Sequence, residues 1–155
     1  MTKSLKSGTI IDMTVINSIV FTLLLLTQDV DAYPRYSSDN VNDDPKLFFI
    51  MPSNGQVLTS PIKVKFGIKG MEIVPAGVDK PMSGHHHLLI NVDKLPNMEM
   101  PIPADGNHIH FGKGETETTL ELPKGKHELQ LLLGNHVHVP HKNPLISEKI
   151  EIFIE

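Results

Sequence analysis

"SPIKVKFGI", Ser60 to Ile68, decides the fold class. Successive side chains of an extended strand point to opposite faces. Ile62, Val64, Phe66 and Ile68 therefore share one face, and Lys63 and Lys65 take the other. Alternation of this kind marks a half-buried strand. The chain closes on the same pattern, since "EKIEIFIE" turns Ile150, Ile152 and Ile154 to one side. Between these stretches, "LFFIM" and "HHLLINV" are more uniformly apolar, as strands near the middle of a sheet can be. "TTLELPKGKHELQLLLG" reads as two strands joined by a turn at Pro123 to Gly125.

Six to eight short strands are thus expected within residues 46–155, with 11 glycines and 12 prolines punctuating the chain and no helical stripe anywhere. That number of strands in about 100 residues suits an all-β, immunoglobulin-like β-sandwich, with a small β-barrel as the alternative.

The first 45 residues have a different character. Lys3 and Lys6 precede a run from Met13 to Leu26 that is apolar apart from Thr14, Asn17, Ser18 and Thr22, and Val30-Asp31-Ala32 follows. This pattern is that of a secretory signal peptide over residues 1–32, cleaved after Ala32. A start at Met13 or an uncleaved anchor stays open, although the run falls short of the roughly 20 apolar residues of a membrane span. "YPRYSSDNVNDDP", residues 33–45, has little to bury and reads as a flexible leader. The expected mature protein is periplasmic or extracellular, without an integral membrane span.

Charge and cysteine content narrow the function classes. Fourteen Lys and Arg against 18 Asp and Glu leave no basic patch to hold nucleic acid. With no cysteine, an exported domain has no disulfide to lean on and rests on its core.

The nine histidines carry the chemistry, and all fall between positions 85 and 141. They form three His-x-His pairs: His85 with His87, His108 with His110, and His136 with His138. On a strand, residues i and i+2 project from one face roughly 6.5–7 Å apart. Two imidazoles so placed can lean toward one ion at about 2.0–2.1 Å from each nitrogen. In "HIHF" and "HVHV" the intervening Ile109, Phe111, Val137 and Val139 are expected to face the core, putting the histidines on exposed faces or rims. His85 and His87 share the face opposite His86, Leu88, Ile90 and Val92. His141, past Pro140, is a plausible loop ligand. His127 shares a face with Leu129, Leu131 and Leu133 and reads as a structural corner residue bonded to backbone.

An exposed histidine pair is also an ordinary solvated strand face, and it is the recurrence of three pairs that argues for a metal. Imidazole without thiolate suits copper or zinc, and thioethers at Met82, Met98 and Met100 would favour copper, though methionine also simply fills gaps. Asp93, Asp105, Glu115 and Glu117 are candidates to orient ligating rings.

"SPIKVKFGIKGM", "PAGVDKPMSGHHHLLINVD", "HFGKGETET", "GNHVHVPH" and "SEKIEIFIE" together resemble the bacterial family of unknown function numbered 4399, across nearly all of Phe48 to Glu155. The resemblance implies export, an immunoglobulin-like sandwich and importance for the histidine segments, and no established activity. The expected function is therefore an envelope protein binding copper or zinc through His85, His87, His108, His110, His136, His138 and His141, for buffering, delivery or sensing. One alternative is a metal-dependent enzyme with a three-histidine site, for which Glu115 or Asp105 would be the nearest base and no nucleophile elbow exists. A metal-free interaction module and a pH-responsive surface are the others.

Overall fold

A computed structural model of the protein describes residues 44–155. The expected signal segment, residues 1–32, and the leader up to residue 43 lie outside the described residues. Nine strands and no helix occur among the described residues: β1 Lys46–Met51, β2 Gln56–Leu58, β3 Ile62–Lys69, β4 Glu72–Ile73, β5 Ser83–Ile90, β6 His108–His110, β7 Glu117–Leu120, β8 Gly125–Gly134 and β9 Ile150–Ile154. No described helix is long and apolar enough to cross a membrane.

The strands form two sheets. One is three-stranded and antiparallel, ordered β1-β3-β7. The other runs β2-β9-β8-β5-β4, with β6 also paired to β5. Two of its ladders, β2 with β9 and β4 with β5, are parallel.

Alternation places the core as expected. Ile62, Val64 and Phe66 of β3 meet Leu88 and Ile90 of β5, Leu129, Leu131 and Leu133 of β8, and Ile152 and Ile154 of β9 in one buried cluster between the sheets. On the outer face of β3, Lys63 and Lys65 both pair with Glu117 of β7, at 2.7 and 3.1 Å.

The Pro123–Gly125 turn connects strands in different sheets, so β7 and β8 are successive without being partners. His127 closes that corner: its Nε2 donates to the Pro123 carbonyl at 2.8 Å, and its Nδ1 accepts from Asn91 Nδ2 at 3.0 Å.

β5 is buried on both faces along its whole length, and β8 is so from Leu131 to Gly134. The face away from the main core carries Leu89 and Leu132, roofed by Ile102, Val92, Met98 and Ile146 from the flanking loops. This roof sets the environment of the histidines.

Candidate metal centre

His85, His87 and Leu89 share the roofed face of β5, while His86, Leu88 and Ile90 share the core face. The ladder places His110 of β6 directly beside His87, and Leu132 of β8 on its other side. Two imidazoles from β5 and one from β6 therefore stand together on one patch of sheet.

The fourth ring comes from a turn. β8 ends at Gly134, and Asn135 folds the following residues back on themselves. Its Oδ1 accepts from the backbone nitrogens of Val137 and Val139 at 3.0 and 3.1 Å. Its own backbone carbonyl accepts from His138 at 2.9 Å, and its nitrogen donates to the Val139 carbonyl at 2.9 Å. His138 adopts a left-handed φ of 68° within this turn, and its carbonyl accepts from Ile102 of the roof at 2.9 Å.

"HVHV" is thus a turn, and the expected strand alternation does not apply to it. Val137 is exposed, and His136 and His138 part company. His138 joins the cluster; His136 Nδ1 lies 3.3 Å from Asp79 Oδ1 on the surface.

The four rings pack closely. His85 lies 4.9 Å from His87, 4.9 Å from His110 and 5.0 Å from His138 between centroids, and His110 lies 4.6 Å from His138. His87 is 5.0 Å from His110 and 6.1 Å from His138. One ring nitrogen from each of His85, His110 and His138 falls in a group whose members are all within 4.8 Å of one another. Both nitrogens of His85, Nδ1 of His87 and Nε2 of His110 are buried without a hydrogen-bond partner. A buried polar atom left unpaired costs about 1–3 kcal/mol, a penalty that no described residue relieves at these four atoms.

Two glycines make room for the rings. A Cβ built on Gly112 would lie 2.4 Å from His110 Cε1, and one on Gly134 would lie 2.6 Å from His87 Cε1. No side chain is tolerated at either position without moving an imidazole.

The expectation that all three pairs lie on exposed faces fails for His85 and His87, whose exposures are 0% and 1%. The period-two pattern assigns a face and is blind to the loops that roof it. Burial, followed by the neighbouring imidazoles of His110 and His138, lowers the His85 pKa from its ordinary 6.5 to about 4. Burial and then the rings of His85, His110 and His138 lower His87 to about 3. His110 is also lowered, by burial and by His138, against an opposing pull from Glu115. At neutral pH these rings are uncharged, which is the ligating form.

The remaining candidates lie elsewhere. His108 turns from the cluster to Asp105, with Nδ1 2.8 Å from Oδ1. His141 keeps to its loop with Nε2 buried and unpartnered. Of the proposed orienting carboxylates, Glu117 is taken up by lysines, and Glu115 acts on His110 only through its field. Met98 packs in the roof, in its gap-filling role. Asp79, and the two glycines that shape the cluster, carried no signal in the sequence, because each matters only through a contact distant along the chain.

The sequence pattern of the family described as "Domain of unknown function (DUF4399)" matches residues 64–155. The chain belongs to the DUF4399 family. All four clustered histidines lie inside the matched span, whereas β1, β2 and the first residues of β3 precede it. No curated protein matches this DUF4399 chain. Among solved structures it is similar to the endo-beta-1,4-mannanase from Thermotoga petrophila, at 15% identity and a TM-score of 0.44. The likeness covers 77% of this chain and 21% of that one, and assigns neither fold nor activity.

Proposed function

We propose that this DUF4399 protein binds a copper or zinc ion on the imidazoles of His85, His110 and His138, with His87 beside them as a fourth ring, and serves in buffering, delivery or sensing of that ion. The observation that carries the reading is that one ring nitrogen from each of His85, His110 and His138 lies within 4.8 Å of the others, while both nitrogens of His85 and Nε2 of His110 are buried without a partner. In tetrahedral geometry two nitrogens at about 2.0–2.1 Å from one zinc ion sit roughly 3.4 Å apart. A group whose members lie within 4.8 Å of one another therefore needs its widest pair to close by at most about 1.4 Å.

A donor set of neutral imidazoles without thiolate suits copper or zinc. His110 and His138 are partly exposed while His85 is buried, so an ion would arrive from their side. The signal pattern of residues 1–32 supports export to the periplasm or extracellular space, and the two sheets around one core are read as an immunoglobulin-like sandwich.

The test is retention of copper or zinc by the full chain after equilibrium dialysis, beside His138→Ala and His136→Ala. Near-stoichiometric metal in wild type and His136→Ala, lost in His138→Ala, is the expected result. Equal retention by both variants, or none by wild type, overturns the proposal.

A further inference from the structure

A second set of soft donors lies outside this cluster. β4 and β5 pair in parallel through Glu72 with Ser83, and Met71 and Met82 immediately precede these partners, with Glu72 N donating to the Met82 carbonyl at 2.9 Å. Both methionines line a cavity of about 510 Å³ together with His141, Leu145, Asp44 and Lys142.

His141 lines the cavity with its ring held in place. The backbone of Ser83 accepts a hydrogen bond from its ring, an interaction that favours protonation, while burial has the larger and opposite effect and lowers the pKa overall. Nε2 is buried with no partner. With the proton held on the other nitrogen, Nε2 carries the free lone pair.

Met82 is unusual in two respects. It is 59% exposed, and its φ of 52° lies in the left-handed region that a bulky residue adopts only at a cost. Apolar packing accounts for neither. Two thioethers and an imidazole that line one cavity supply the donor types of a site for a soft cation.

We infer that Met71 Sδ, Met82 Sδ and His141 Nε2 form a second site that takes a soft monovalent cation of the cuprous type. Thioethers select Cu(I) over harder ions, and the donor set contains no anion. Lys142 lines the same cavity and disfavours a divalent ion, and Asp44 is the one carboxylate among the described residues that line it. The site is independent of the imidazole cluster: it shares no ligand with it, although both draw on the segments 82–85 and 138–141.

The experiment is a silver(I) titration of the full chain labelled at its methionine methyl carbons, in chloride-free buffer and followed by NMR. Met71 and Met82 are expected to shift together along one saturating curve. Met51 and Met100, at 40% and 56% exposure, are the internal controls and stay in place. His141→Ala weakens the Met71 and Met82 response at least tenfold, and His138→Ala leaves it unchanged. Shifts that follow exposure, with Met51 and Met100 moving alongside Met82, overturn the inference. So does a wild-type spectrum that silver leaves unaltered. Because the wild-type titration decides between these outcomes, a variant that fails to fold does not rescue the idea.

Discussion

Replacing His86 with leucine is expected to make the metal-free protein more stable, and more so in acid. His86 is fully buried on the core face of β5, its ring 5.1 Å from that of Phe66, and neither of its nitrogens has a partner. Leaving a buried polar group unpaired costs about 1–3 kcal/mol, and the ring contact with Phe66 returns about 0.5–1.5 kcal/mol. Leucine has a similar volume and no polar atom, so the net gain at pH 8 is on the order of 1 kcal/mol.

The pH dependence follows from the lowered pKa. Burial, then the charge of His85, moves His86 from 6.5 to about 4. Below 6.5 the unfolded chain takes up a proton that the folded one refuses, so wild-type stability falls with pH until the folded pKa is passed. At pH 5 this penalty is about 2 kcal/mol for His86 alone, and the leucine variant does not have it. Urea denaturation with a chelator present, at pH 8 and pH 5, measures both quantities. With a slope of about 1–3 kcal/mol per molar, the gap between the two midpoints widens by roughly 1–2 M on acidification. A variant less stable than wild type at pH 8, or a gap that is the same at both pH values, refutes the account of His86.

Two further substitutions test how the cluster is held. Gly112→Ala puts a methyl group where the His110 ring now lies, so metal affinity is expected to fall at least tenfold by isothermal titration, while urea stability at pH 8 changes by less than about 1.5 kcal/mol. Unchanged affinity would mean that His110 is not a ligand. Asn135→Ala removes the acceptor of two backbone hydrogen bonds in the turn that carries His138. It is expected to cost about 1–2 kcal/mol in chemical denaturation and to weaken metal binding as His138 loses its position; full retention of affinity would show that the turn does not place that ring.

The strands and their inward faces were legible because burial of a half-covered sheet repeats every two residues, and Ile62, Val64, Phe66, Ile152 and Ile154 sit where that period puts them. The pairing of His85 with His87, and their separation from His86, came from the same rule. The sequence therefore determined the all-β class and the membership of each strand face, both of which are properties of neighbours along the chain.

Which histidines meet was decided by contacts that the chain makes at a distance. His110 reaches the cluster through the register of β6 on β5, and His138 through a turn held by Asn135, where a strand had been expected. The same pairs split, His108 to Asp105 and His136 to Asp79, since each ring goes to the partner its own loop brings near. Burial of His85 and His87 came from loops packed over the outer face of β5 and β8. Alternation specifies a side of the sheet, and only the folded chain specifies what covers it.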